Sequence, residues 1–190
     1  MSWIRSVPPE QATGPLKALY ARIAERSPNG RVSALWQACG LDPTPLEGRF
    51  AHYSGIMDDP TPLTRAQAEM VAVVVSATNG CGYMVAQAGP RLAAALGDET
   101  LARAIALDYR EANIAARDRV LLDFAVALSC EPGERTQADV ERLREYGFDD
   151  QAILRLTGMA GLICAVNRVA SGLGVELEPD MTPWEYGAQK

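Results

Sequence analysis

Histidine is almost missing from this chain: His52 is the only one in 190 residues. No pair of imidazoles is therefore on hand for a metal. The four cysteines, Cys39, Cys81, Cys130 and Cys164, lie too far apart for zinc or iron ligation, so no metal is expected. The same spacing argues against a disulfide framework and makes a reducing cytoplasm the expected compartment. A glycine-rich phosphate loop following a strand is absent as well, so no nucleotide, flavin, haem or other cofactor is expected. Positive charge is scarce. Eighteen Lys and Arg face 24 Asp and Glu, for a net charge of −6 and a pI near 4.9. With no basic run, neither nucleic acid nor an anionic membrane is an expected partner. The start, Met1-Ser2-Trp3-Ile4-Arg5 before Pro8-Pro9, holds no apolar signal segment. No window was expected to approach the roughly 20 apolar residues of a membrane span.

What the chain does have is 48% apolar residues and repeated helix signals, which predict an all-α fold of about eight or nine helices. The expected organisation is a single domain over 1–190, with N-terminal helices in 1–60, a core in 61–174 and an extended tail in 175–190. Thr13 is placed to cap a helix over 14–26. A short helix over 32–39 precedes Gly40, where a left-handed residue suits the helix end. Asp42-Pro43 opens a third helix, running to Met57. Thr64-Arg65-Ala66-Gln67 reads as a capping box. It starts a helix over 66–78 whose run Val71-Ala72-Val73-Val74-Val75 suggests burial on most sides. Asn79-Gly80 breaks it. Further helices are predicted over 81–96, closed by Gly97, and over 99–109, 115–129, 137–146 and 150–172, the last two bounded by Gly147, Asp149 and Gly172.

The segment Asn79-Gly80-Cys81-Gly82-Tyr83-Met84-Val85-Ala86-Gln87-Ala88 carries the strongest chemical signal. A redox C-x-x-C needs two sulfurs one helical turn apart. Here Cys81 is present, but the second position is Met84, a thioether that cannot form a disulfide. A base one turn later would tune such a thiol, and that position is Ala88. Positions 81, 84 and 88 share a helical face, and the first turn of a helix lowers a thiol pKa. Cys81 is thus either a reactive thiol or a small buried hydrophobe. Glu69, just before the Val-rich run, is either a general acid or base in a dry pocket or a carboxylate paired with Arg65 four residues earlier. His52 supplies a proton relay if its helix lines the pocket, and is otherwise a surface or capping residue. Tyr83 and Gln87 offer hydrogen bonds to a substrate, and Met84 a soft apolar contact.

The order of capping box, Glu69, apolar helix, Asn79-Gly80-Cys81 and aromatic at 83 resembles the alkylhydroperoxidase AhpD-like group of the carboxymuconolactone decarboxylase superfamily. The resemblance is strongest to its small peroxidase-related proteins. It extends to Ser2-Trp3-Ile4, Leu121-Leu122-Asp123-Phe124-Ala125, Gly147-Phe148 and Asn167-Arg168-Val169-Ala170 leading to Gly172-Leu173-Gly174-Val175-Glu176-Leu177-Glu178. The resemblance implies a working site of a Glu twelve residues before a C-x-x-C, with a His four residues after the second Cys. Those positions are Glu69, Cys81, Met84 and Ala88, so two of the four groups are kept. The dithiol peroxidase activity that the family implies is expected to be lost, because it needs both sulfurs. What remains implied is cofactor-free acid/base chemistry on a small organic molecule: decarboxylation, isomerisation or cyclisation. A one-cysteine peroxidase and a non-catalytic binding or assembly protein are the alternatives. The family also implies a homo-oligomer, trimeric or hexameric, for which the Trp184-Glu185-Tyr186 tail is a candidate contact if it does not fold onto its own chain.

Overall fold

The computed structural model describes residues 2–188, and among these the chain forms nine α-helices and no strand. They are α1 (Gly14–Arg26), α2 (Ala34–Ala38), α3 (Pro43–Met57), α4 (Arg65–Thr78), α5 (Gly82–Leu96), α6 (Glu99–Asp108), α7 (Ala116–Cys130), α8 (Gln137–Glu145) and α9 (Asp150–Gly172). Helix α4 is the axis of the molecule. Every residue from Gln67 to Thr78 is buried, with α5, α6, α7 and α9 packed around it. A second, smaller cluster of Leu16, Leu19, Tyr20, Ile23, Leu46 and Phe50 joins α1 to α3, and α3 leans on α9.

Local chemistry sets the helix ends. The capping box at α4 forms in full, with Thr64 Oγ1 accepting from Gln67 N and Gln67 Oε1 from Thr64 N. Asp149 caps α9 by accepting from Ala152 N at 2.8 Å. The turn between α4 and α5 is a Schellman motif. Gly80 takes φ +68°, the Gly80 N–H donates to Ala77 O and the Cys81 N–H donates to Ser76 O, and the buried Cys81 follows. The same pattern ends α8 and α9, with Phe148 and Val175 as the buried residues after the turn.

Three expectations about elements are corrected. Thr13 precedes α1 but its side chain makes no cap bond. Gly40 is not left-handed: it lies in a 3-10 turn over Cys39–Leu41. It must be glycine because any Cβ there would strike the Tyr20 hydroxyl. Finally, α9 is long and apolar enough by length and composition to cross a bilayer, although no such window was expected. Half of that window is buried within the bundle, against α4, α7 and α3. Its buried Asn167 accepts from Ser76 Oγ at 3.1 Å, which ties α9 to α4.

The described residues after α9 form no helix or strand, turn at Glu178–Met181, and fold back along their own chain. Trp184 is buried at 7% exposure, lies over Gly89 and stacks under the Arg103 guanidinium at 4.4 Å. Tyr186 Oη donates to Gly80 O and Gly187 N to Ala106 O.

Candidate functional site

Helices α3, α4 and α5, with the segment from Ile23 to Trp36, enclose a cavity of about 190 Å³. From α4 comes Glu69. From α5 come Tyr83, Met84, Gln87 and Arg91, and from α3 Phe50, Tyr53 and Ser54. Trp36 stands edge-on to both Phe50 and Tyr53, with ring centroids 5.9 Å apart in each case.

Glu69 is 3% exposed, and two guanidiniums meet its carboxylate. Arg91 Nε donates to Oε2 at 3.1 Å, and Arg65 Nη1 lies 3.8 Å from Oε1. Arg65 also donates to Met57 O and Asp58 O, so it closes the C-terminal end of α3 while facing Glu69. Burial pulls the Arg91 guanidinium toward losing its proton. Tyr53 and Glu69 outweigh that effect and hold its pKa above the ordinary arginine value. The pairing with Arg65 was legible from the i, i+4 spacing. The stronger pairing with Arg91 was not. Glu69 is therefore an ion-paired carboxylate, and the expected dry pocket governed by desolvation alone is corrected. Arg26, Arg31, Arg65 and Arg91 also border the cavity, so its wall is charged as well as apolar.

Of the residues singled out from the sequence, Glu69, Tyr83, Met84 and Gln87 line this cavity, and Cys81, Ala88 and His52 do not. His52 is exposed on α3, while its neighbours Tyr53 and Ser54 turn inward. Cys81 is 2% exposed and Ala88 is fully buried, both within the main apolar core. The reason is angular. At about 100° per residue, Tyr83, Gln87 and Arg91 fall within roughly 80° of one another, whereas Ala88 is turned about 100° from Gln87. Met84 lies between the two faces, so its shared face with positions 81 and 88 pointed inward to the core and not to the cavity.

Tyr83 anchors the floor. Its hydroxyl accepts from Leu35 N and Gln87 Nε2 and donates to Glu178 Oε1 at 3.0 Å. Burial pushes the phenol pKa up, and the Glu178 carboxylate pushes it further. Glu178 also accepts from Ala34 N at 2.8 Å, at the first residue of α2. The tail thus brings a further carboxylate, beyond Asp58 and Glu69, to the back of the cavity wall. No sequence signal pointed to Tyr53, Ser54 or Trp36. For Arg91, the i, i+4, i+8 run Tyr83, Gln87, Arg91 was the available clue.

Solved structures place this arrangement among known folds. An uncharacterized peroxidase-related protein from Silicibacter sp. TM1040 is 30% identical over 93% of this chain and 91% of its own, with a TM-score of 0.80. An uncharacterized peroxidase-related protein from Ralstonia eutropha JMP134, described as an alkylhydroperoxidase AhpD core, is 25% identical over 94% of this chain and 93% of its own, with a TM-score of 0.85. The debrominase Bmp8, crystallised as a cysteine-to-alanine variant with 2,3,4-tribromopyrrole, shares the fold at 15% identity, 94% and 95% coverage and a TM-score of 0.77. No protein-family model matches the chain, and no curated protein does.

Proposed function

The chain belongs to the AhpD-like superfamily, among its peroxidase-related proteins, and from that premise we propose that it catalyses cofactor-free proton transfer on a small organic substrate. The Glu69 carboxylate is the base. The observation that carries this reading is its position: a 3% exposed carboxylate that nevertheless borders a cavity, steadied by Arg91 and Arg65. In the proposed step Glu69 takes a proton from a carbon next to a carbonyl, and the electron pair moves onto the carbonyl oxygen. A preorganised donor such as the Arg91 guanidinium stabilises that developing charge. Return of the proton to a different carbon completes an isomerisation. Loss of carbon dioxide from a neighbouring carboxylate reaches the same enolate, which then takes up a proton.

A dithiol peroxidase cycle has no support from these residues. Met84 occupies the cavity position at which a second thiol would resolve a sulfenic acid, and a thioether cannot do so. Cys81, the remaining thiol, is buried outside the cavity lining, which weighs against a one-cysteine peroxidase as well. Lipoamide-linked or thioredoxin-linked peroxide reduction by the wild-type protein should be undetectable, and a robust rate would overturn this half of the reading.

The direct test is hydrogen exchange. A panel of small carbon acids incubated with the protein in D2O should show deuterium uptake by NMR for at least one member. Glu69→Gln should abolish that uptake while circular dichroism and the oligomeric state stay as in wild type. Uptake unchanged in Glu69→Gln would remove Glu69 from the mechanism.

A further inference from the structure

Ser54 is the one buried side-chain polar atom among the described residues that has no hydrogen-bond partner. Serine and threonine inside helices ordinarily return their hydroxyl to the carbonyl four residues back. Ser129 does so with Ala125 O at 2.7 Å and Thr157 with Ile153 O at 2.8 Å. Ser54, 9% exposed and on the cavity wall, does not. Burying a hydroxyl without a partner is costly, so such a group calls for an explanation.

Two neighbours on the same wall, less fully buried, also lack an acceptor among the described residues. The Tyr53 hydroxyl makes no hydrogen bond to another described residue, its contacts being the Trp36 ring and the field of Arg91. Arg91 gives its Nε to Glu69, which leaves the two terminal nitrogens of the guanidinium free of any described acceptor. A guanidinium donates and cannot accept, and its planar fork matches a carboxylate. Three unused donors, one of them cationic, thus border a single cavity, and what they lack is an acceptor-rich anion. Of the bordering arginines, Arg26 is paired with Asp58 and Arg31 with Asp180, while Arg65 and Arg91 share the single carboxylate of Glu69. The outer edge of Arg91 is thus the cationic surface left to a ligand.

Size and shape narrow the ligand. An engineered apolar cavity of about 150 Å³ holds benzene, so a cavity of about 190 Å³ suits one ring with one small substituent. Trp36 and Phe50, edge to face at an interplanar angle of 88°, supply the wall for that ring. We propose that this cavity recognises a planar monocyclic carboxylate, its carboxylate held by the Ser54 hydroxyl and the outer edge of Arg91 and its ring against Trp36. This names the substrate class for the site proposed above and takes from that reading only that the cavity is the working site.

Calorimetric titration with benzoate and with the neutral benzyl alcohol tests it without requiring turnover. Wild-type protein should bind benzoate at millimolar concentration or below, and benzyl alcohol at least about tenfold more weakly. Ser54→Ala should weaken benzoate about tenfold, the usual loss for a hydrogen bond to a charged group. Because the hydroxyl has no protein partner, the same variant should melt no lower than wild type, a combination that a purely structural serine would not give. Arg91→Lys, which keeps the charge but loses the fork, should also weaken benzoate and leave benzyl alcohol unchanged. Equal binding of the two probes, undiminished benzoate binding by Ser54→Ala, a lowered melting temperature in that variant, or no benzoate binding by wild type would each overturn the proposal. Glu69→Gln should still bind benzoate. If it does and no Glu69-dependent exchange is found, the catalytic reading fails alone; if exchange is found on neutral carbon acids and benzoate does not bind, this inference fails alone.

Discussion

A carboxylate at the start of a fully buried helix is tolerable only when its charge is met. Glu69 meets it twice, by an exposed-edge arginine on its own helix and by Arg91 on the next. Removing one partner of a buried pair leaves an uncompensated charge, which costs about 3–5 kcal/mol. Arg91→Met should therefore lower the unfolding free energy by at least about 2 kcal/mol, given that Arg91 keeps some solvent contact. Urea denaturation measures this, and an unchanged midpoint would mean that Arg65 alone carries the pair. The double variant with Glu69→Gln should recover most of the loss, because the buried charge has then gone too. At this scale the sequence showed which acid to watch and one of its partners. Arg91 escaped notice because it lies 22 residues away and reaches Glu69 only through the packing of α5 on α4.

Helix α5 serves two surfaces at once. One face offers Tyr83, Gln87 and Arg91 to the cavity, and Gly89 lies beneath the Trp184 indole of the returning tail. A Cβ at position 89 would overlap that ring. Gly89→Ala is ordinarily a gain in helix propensity of about 1 kcal/mol. Here it should destabilise by about 1–3 kcal/mol, the usual penalty for overpacking. The tail should also become more susceptible to proteolysis once Trp184 is displaced, as limited chymotrypsin digestion at Trp184 and Tyr186 will show. A stabilised Gly89→Ala variant with an intact tail would refute the contact. The helix was legible from Gly80 to Gly97, since turn residues and caps act locally. Its orientation was not, because positions 81, 84 and 88 and positions 83, 87 and 91 are equally consistent helical stripes until a neighbour covers one of them.

Across the whole molecule, three buried tyrosines link stability to alkaline pH. Burial pushes Tyr20 up to about 12, with Cys39 adding to the effect. Burial likewise raises Tyr83 and Tyr109, helped by Glu178 and Asp123 respectively. Their folded values lie above the unfolded value near 10. Between those values the unfolded chain binds fewer protons than the native one, so stability falls as pH rises above about 10 and is unaffected by these groups below it. Urea denaturation from about pH 8 to 11.5 should show that decline, and Tyr20→Phe should make it shallower. A stability independent of pH over that range would contradict the burial of these phenols. The expected trimer or hexamer stands as a proposal at this scale, and its contact must now be sought away from the tail. Leu154, 73% exposed on α9, and Trp3, 79% exposed, are the most exposed large apolar groups among the described residues. Light scattering should find an oligomer that Leu154→Glu weakens.

The amino-acid sequence alone determined the helices, the breaks at Asn79-Gly80 and Gly97, the burial of α4 and the family, because caps, turn residues and periodicity are local and survive in any packing. The family resemblance it carries implies that Met84 and Ala88 stand where a second thiol and a relay would be. Only the tertiary structure decided which face of α5 lines the cavity, that Cys81 and Ala88 belong to the core, and that Arg91 holds Glu69. It alone brought Ser54, Tyr53 and Trp36 to the same wall. Those relations join helices separated in sequence, and each depends on how one helix is rotated against another. Helical periodicity leaves that rotation open, and the packing of neighbouring helices settles it.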